Sequence, residues 1–160
     1  MVQNYCTECG EKLYLKELDK EGLIPFCPKC QKYQFPKYNV AVSMIVFHND
    51  NILLIKQYGN PFYILVAGYI NIKESAEEAC IRELKEEVNL LPSKLVFNKT
   101  SYYEKSNTLM INFAVYVDDI TQLKINEEVD SYKWFSKEEA KLNIKENSLA
   151  KYFLMEYLND

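Results

Sequence analysis

Residues 68–90 read GYINIKESAEEACIRELKEEVNL, a glycine and a short loop followed by a strongly acidic segment. Ser75 and Glu78 form the Ser-x-x-Glu pattern of a capping box, which predicts that a helix begins at about Ser75. Asn89 is predicted to end this helix, because asparagine tolerates the left-handed conformation found at helix C-termini. Most residues between the two caps are strong helix formers. The segment therefore predicts a helix that follows directly on a loop containing Gly68.

A helical wheel divides this helix into an acidic face and an apolar face. At ~100° per residue, Glu83, Glu86 and Glu87 fall within one arc of ~100°. The neighbouring arc is predicted to face the core. It carries Cys80, Ile81, Leu84 and Val88. Carboxylates at the border of a buried face suit a hard divalent cation, Mg²⁺ or Mn²⁺. Arg82 lies one turn from Glu78 and from Glu86, so it is predicted to orient carboxylates by i,i+4 pairing.

A charge-rich helix is also compatible with a solvated surface, and the spacing of the whole segment argues against that alternative. Five residues separate Gly68 from Glu74, and seven more lead to RELKEEVNL at residues 82–90. This pattern resembles the signature of the Nudix hydrolases, Gx5Ex7REUxEExGU, in which U is a bulky aliphatic residue. Asn89 is the one departure at a defined position, and asparagine can adopt the backbone conformation of the family's glycine.

The resemblance implies both a fold and an activity. The fold is α/β, an α/β/α sandwich with a mixed sheet, and the resemblance covers most of residues 37–160. The activity is metal-dependent hydrolysis of a pyrophosphate bond in a nucleoside diphosphate linked to another group. ADP-ribose, dinucleotides and sugar nucleotides belong to this class. A non-catalytic nucleotide sensor with the same fold is the alternative, and the presence of every carboxylate of the signature favours the enzyme.

The resemblance also implies a set of site residues that bind or surround Mg²⁺ or Mn²⁺. These are Ala67 (through its backbone carbonyl), Arg82, Glu83, Glu86 and Glu87. Glu74 and Arg82 are expected to hold the loop and helix in place rather than to touch substrate. Glu128 is the candidate for a further metal ligand or base, and a solvated loop acid is the equal alternative. The general base is left open among Glu83, Glu86 and Glu128.

Four of the five cysteines form two Cys-x-x-Cys motifs near the N-terminus, Cys6 with Cys9 and Cys27 with Cys30. Their spacing is typical of a structural zinc site with four thiolate ligands. Two disulfides are the alternative, which is weak because nothing in the sequence marks the chain as secreted. We therefore expect a small zinc ribbon over residues 1–36, followed by a Nudix domain over residues 37–160.

A zinc ribbon before a Nudix domain resembles the NADH pyrophosphatase branch of the family. That branch carries the motif SQPWPFPxS after the signature, whereas residues 101–108 read SYYEKSNT here. NADH is therefore not expected to be strongly preferred. Phe35 and Tyr102 are the candidates for stacking on a base, and simple packing is the alternative for each. Tyr102 and Tyr103 alternate across a predicted strand, so one is expected to line the pocket and the other to pack.

The formal net charge of −4 argues against a protein that binds nucleic acid by bulk charge. A local group of lysines, Lys29, Lys32 and Lys37, leaves a capped RNA end open as a substrate. The expected partner is a small nucleotide, and a homodimer is left open. No signal peptide and no apolar run of membrane-spanning length are visible, so we expect a cytoplasmic protein without a membrane partner.

Overall fold

The computed structural model describes residues 3–159, which form two compact units that divide between Tyr38 and Asn39. The first unit contains an antiparallel sheet in the order β1-β2-β3. Its strands are β1 (Tyr14–Leu18), β2 (Gly22–Cys27) and β3 (Lys32–Tyr33). Phe26 is the largest buried side chain of this unit, and its ring centroid lies 5.6 Å from that of Tyr14 and 5.0 Å from that of Tyr33. So small an apolar core gives the unit little stability of its own.

The second unit is built on a mixed sheet, as predicted. Its elements are β4 (Asn39–His48), β5 (Asn51–Gln57), β6 (Val66–Tyr69), α1 (Ala76–Val88), β7 (Lys94–Tyr103), β8 (Thr108–Tyr116), β9 (Val129–Ser136), α2 (Lys137–Asn143) and α3 (Leu149–Asn159). The strand order is β7-β8-β4-β5-β9, and β6 pairs with β4 beside this path. β4 and β8 run parallel, whereas the other pairs are antiparallel.

Helices cover both faces of this sheet because the side chains of β4 alternate between two apolar clusters. Met44 belongs to the cluster that contains Leu84 of α1. Its neighbour Ile45 belongs to the opposite cluster, which contains Ala140 of α2 and Phe153 of α3. The arrangement is the predicted α/β/α sandwich, with α1 on one face and α2 and α3 on the other.

The caps of α1 lie where the sequence predicts them. Ser75 Oγ accepts a hydrogen bond from the Glu78 N–H at 3.2 Å, and Glu78 Oε2 accepts one from the Ser75 N–H at 2.8 Å. Asn89 ends the helix in the left-handed conformation, at φ 54° and ψ 38°. The Glu78 carboxylate is thus used by the cap, and the ion pairs of Arg82 in the described chain are with other acids, so the predicted pairing of Arg82 with Glu78 is not formed.

The predicted apolar arc of α1 was wrong at one edge. Ile81 is 40% exposed, whereas Glu87, expected at the border of the buried face, is 2% exposed. The reason is that the buried arc is centred near Cys80, and Glu87 lies ~20° from that residue on the wheel while Ile81 lies ~100° away. The helix therefore carries one of its carboxylates into the core.

Candidate active site

A cleft of about 820 Å³ in the second unit brings together the acids predicted from the sequence. Glu83, Glu86 and Glu87 line it from α1, and Glu128 lines it from the segment before β9. The cleft is also lined by Ala67, Gly68 and Arg82. Apolar and basic side chains complete its walls, including Tyr103, Lys105, Met110, Lys145 and Leu149.

Position 68 requires a glycine because the carboxylate of Glu83 occupies the space beside its α-carbon. A β-carbon on Gly68 would overlap the Glu83 carboxyl group. The backbone at Gly68 is not left-handed, so this glycine serves close approach rather than an unusual conformation. The side chain of Glu83 is 13% exposed, and the recess over Gly68 fixes where its oxygens lie.

Arg82 joins the loop before α1 to the acids of the helix. Its Nε and Nη2 donate to the two carboxylate oxygens of Glu74 at 2.7 and 2.9 Å. Nη1 donates to Glu83 at 2.6 Å and to Glu86 at 3.0 Å, and Nη2 also donates to the Tyr69 carbonyl at 2.9 Å. Hydrogen bonds from Arg82 and from a backbone N–H lower the pKa of Glu74 to about 2. Arg82 therefore holds the loop–helix geometry, as the sequence predicts.

Glu87 is a buried carboxylate with a neutral hydrogen-bond donor. Gln57 Nε2 donates to Glu87 Oε2 at 2.9 Å. Burial, together with the nearby negative charges of Glu83, Glu128 and Glu86, raises the pKa of Glu87 to about 8, against the lowering effect of the Gln57 amide. Ionised groups in such surroundings are costly unless a cation approaches, and perturbed carboxyls of this kind are typical of functional sites.

The segment that carries Glu128 is tied to α1 and to the end of β5. The Asn126 N–H donates to the Glu87 carbonyl at 3.1 Å, and Asn126 Oδ1 accepts from the N–H groups of Glu128 and Val129 at 3.0 and 3.3 Å. Tyr58 Oη donates to Glu128 Oε2 at 2.8 Å, which raises the pKa of the Tyr58 hydroxyl. Glu128 is therefore a fixed member of the cleft.

Three residues of this network were missed by sequence reasoning: Gln57, Tyr58 and Asn126. An asparagine two residues before an acid is a weak sign of a side chain that hydrogen-bonds to the backbone, and it could have drawn attention to Asn126. The sequence offers no comparable signal for Gln57 or Tyr58, because their roles depend on the pairing of β5 with β9.

Of the two tyrosines at the end of β7, the structure places Tyr103, rather than the stacking candidate Tyr102, in the lining of the cleft. Tyr102 Oη instead donates to Asn107 Oδ1 at 2.6 Å. Because successive side chains of a strand point to opposite faces, Tyr103 rather than Tyr102 is directed toward the cleft. Phe35 belongs to the first unit, where its ring is 51% exposed, and its role in binding stays a prediction.

The polar turn after these tyrosines is an ordered element. Residues 104–106 form one turn of 3₁₀ helix, followed by Asn107 in the left-handed conformation. The Asn39 N–H donates to the Asn107 carbonyl at 2.9 Å, and Asn39 Nδ2 donates to the Ser106 carbonyl at 3.2 Å. β4 therefore anchors the turn that contributes Lys105 to the cleft.

The four N-terminal cysteines form a compact cluster of thiols. Their sulfurs lie within 4.8 Å of one another, with Cys6 and Cys30 at 3.9 Å and Cys9 and Cys27 at 3.5 Å. A tetrahedron of sulfurs at ~2.3 Å from a zinc ion has edges of about 3.8 Å. All four residues are free cysteines in the structure, so the alternative of two disulfides is not present. Their geometry fits one zinc ion.

Within residues 3–159, the cysteines are the one group of His, Cys, Asp or Glu in which at least three ligand atoms lie within 4.8 Å of one another. The glutamates of the cleft are more widely spaced. Like charges repel, and Arg82 engages the carboxylates of Glu83 and Glu86.

Comparison with known proteins confirms the family that the signature predicts. A family model described as the NUDIX domain matches residues 37–157. The chain belongs to the Nudix family. This Nudix chain is 24% identical over 157 residues to the NAD-capped RNA hydrolase NudC of Pseudomonas aeruginosa. The match covers 96% of the chain and 55% of NudC, so the chain spans about half the length of that relative.

Solved structures show the same fold. The Nudix hydrolase of Nitrosomonas europaea matches with a TM-score of 0.67 and 20% identity, over 98% of this chain and 93% of that one. The Nudix domain of Shewanella oneidensis NrtR, solved with ADP ribose, matches with a TM-score of 0.65 and 17% identity, over 84% of this chain and 92% of that domain. None of the helices in residues 3–159 combines the length and the apolar composition that crossing a membrane requires.

Proposed function

We propose that this Nudix chain hydrolyses the pyrophosphate bond of a nucleoside diphosphate linked to another group. The observation that carries the proposal is the meeting of Glu83, Glu86, Glu87 and Glu128 in one cleft. An anionic pyrophosphate would be repelled by these acids alone, whereas divalent cations between the two would reverse the local field. Substrates of the ADP-ribose, dinucleotide and sugar-nucleotide classes share this chemistry.

The donor set of the cleft suits Mg²⁺ or Mn²⁺. Both ions prefer oxygen ligands, and the proposed ligands are the four carboxylates with the backbone carbonyl of Ala67. The buried Glu87 supports the fit, because its ionised form has a raised free energy that a nearby cation would lower. When bound, such ions polarise phosphoryl oxygens and make coordinated water more acidic.

The residues of the chain have separate tasks in this proposal. Arg82 orients Glu83 and Glu86 from one side, while Glu74 holds the guanidinium from the other. Glu83 lies in its recess over Gly68, and the buried Glu87 is shielded from bulk water. Glu83, Glu86 and Glu128 remain the candidates for the general base.

The rest of the cleft supports binding of a whole nucleotide. Its volume of about 820 Å³ lies within the range of ligand pockets, roughly 300–1,000 Å³. Tyr103 replaces Tyr102 as the proposed stacking residue, with Met110 and Leu149 as further apolar walls. Lys105 and Lys145 supply positive charge for phosphates of the substrate.

A structural zinc ion is proposed for the first unit. Cys6, Cys9, Cys27 and Cys30 supply four thiolates, which leaves no open ligand position for catalysis. Because the apolar core of this unit is small, metal binding would supply much of its folding free energy. The unit is the proposed ribbon, and the remainder of the chain is the proposed catalytic domain.

A capped RNA end is the second candidate substrate. It is supported by the match to NudC, which extends over 96% of the chain. The formal charge of −4 favours recognition of the cap itself rather than of a long RNA.

The test is a substrate panel incubated with Mg²⁺ or Mn²⁺, in which released mononucleotide is measured. The panel contains ADP-ribose, dinucleotides, sugar nucleotides and an NAD-capped RNA. We expect metal-dependent release that Glu83→Gln lowers about 10²-fold or more and Glu77→Gln retains, since Glu77 is an exposed acid of the same helix. Tight binding of ADP-ribose without release from any compound would instead identify a nucleotide sensor.

A further inference from the structure

β5 ends in an irregular turn whose backbone is strained. The pairing of β5 with β9 shifts register between Lys56 and Gln57. Tyr58 follows in the left-handed region at φ 53°, and Gly59 continues there at φ 69°. A tyrosine in this region is unfavourable, because its β-carbon crowds the backbone. The Tyr58 side chain is also 74% exposed, so burial of its ring does little to offset the strain.

The side chains of Gln57 and Tyr58, at the start of this turn, donate hydrogen bonds to two acids of the cleft. Gln57 Nε2 donates to Glu87 Oε2 at 2.9 Å, and Tyr58 Oη donates to Glu128 Oε2 at 2.8 Å. The backbone of the turn is also joined to β9, since the Gly59 N–H donates to Asp130 Oδ2 at 2.7 Å. Strained backbone that persists at such a place is commonly associated with function.

We propose that Tyr58 is a positioning residue for cation binding and acts through Glu128. This inference rests on the proposed function. The phenol hydroxyl occupies one oxygen of Glu128 and fixes the orientation of the carboxylate, which leaves the second oxygen available to a cation in the cleft. Hydrogen bonds of this kind to metal ligands set their direction, and their loss typically weakens metal binding about 10- to 100-fold.

The test measures the dissociation constant of Mn²⁺ for the full chain without substrate, by electron paramagnetic resonance of the free ion. Tyr58→Phe keeps the ring and removes the hydroxyl, and we expect at least about tenfold weaker Mn²⁺ binding. Tyr132→Phe is the control, because Tyr132 is an exposed tyrosine on β9 that does not line the cleft, and it should bind Mn²⁺ as the wild type does. Adding Tyr58→Phe to Glu128→Gln should cause no further loss.

Two results would overturn the inference. One is Mn²⁺ binding by Tyr58→Phe within about twofold of the wild type. The other is the same loss on the Glu128→Gln background, which would show that Tyr58 does not act through Glu128. If the wild type binds Mn²⁺ and releases mononucleotide, either result removes this inference and leaves the proposed function intact. A wild type that does neither would overturn both.

Tyr58→Gly separates positioning from a merely structural role. Glycine adopts the left-handed conformation without strain, so we expect this variant to melt at or above the wild-type temperature while its Mn²⁺ affinity falls. A lower melting temperature with unchanged Mn²⁺ affinity would assign Tyr58 to the fold alone.

Discussion

The carboxylate of Glu83 lies in the space that a β-carbon on Gly68 would occupy. Gly68→Ala must therefore displace the carboxylate, and we predict that kcat falls about 10²-fold, as when a group that stabilises transition-state charge is lost. Circular dichroism should show an intact fold. In the Glu83→Gln background, Gly68→Ala should cause a much smaller decrease in kcat. Equal decreases in both backgrounds would mean that Gly68 acts on something other than Glu83.

The pKa of Glu87 predicts an unusual pH dependence of stability in protein freed of divalent cations. The pKa rises from an ordinary 4.5 to about 8, so between these values the folded state binds a proton that the unfolded state lacks. This contribution to stability is present below pH 4.5 and is lost as the pH rises toward 8. Each pKa unit corresponds to about 1.4 kcal/mol.

Glu87→Gln should remove this dependence and leave the metal-free protein more stable at pH 8 by a few kcal/mol. The same substitution should lower kcat about 10²-fold or more, because it removes a proposed metal ligand. Urea unfolding between pH 5 and pH 8, run on both proteins, compares the slopes. Parallel pH profiles for wild type and variant would contradict the raised pKa.

We predict about one zinc ion per chain in protein purified without added metal. Elemental analysis measures it, and Cys27→Ser should lose most of the zinc. Cys80→Ala is the control, because Cys80 is buried in α1 and should leave the zinc content unchanged. A folded first unit without metal under reducing conditions would refute a structural zinc.

Tyr103 and Tyr102 form a matched pair for testing the stacking residue. Removal of a base-stacking ring typically weakens binding by about 1–3 kcal/mol. Tyr103→Ala should therefore raise KM about tenfold, since Tyr103 lines the cleft. Tyr102→Ala should change KM less, because its hydroxyl is directed to Asn107. The reverse ranking in steady-state kinetics would restore Tyr102 as the binding residue.

Because residues 101–108 lack the proline-tryptophan motif, we predict no strong preference for NADH. Values of kcat/KM for NADH, ADP-ribose, diadenosine compounds and sugar nucleotides under one metal provide the measurement. A preference of about 10²-fold for NADH, roughly 3 kcal/mol in transition-state binding, would show that other residues replace the motif.

The parts of the fold that local interactions determine are predictable from the sequence. Ser75 and Asn89 set the ends of α1 through contacts within a few residues, so both ends of the helix can be predicted from the local sequence. The burial of Glu87 was missed because the direction of a helix face depends on the sheet beneath it. Gln57 was missed because it reaches the cleft through a register shift that only the partner strand defines.

Arg82 already supplies positive charge to the cleft, with hydrogen bonds of 2.6 Å to Glu83 and 3.0 Å to Glu86. A divalent ion bound by these carboxylates, as proposed, would have to compete with this resident counter-ion, so its binding would be an exchange of cations rather than a simple addition. Glu74 accepts hydrogen bonds from the guanidinium through two separate oxygens and would hold it in place during that exchange. The affinity for metal would thus reflect the difference between two ionic interactions, and the arginine would limit the repulsion among the acids whenever divalent ions are scarce.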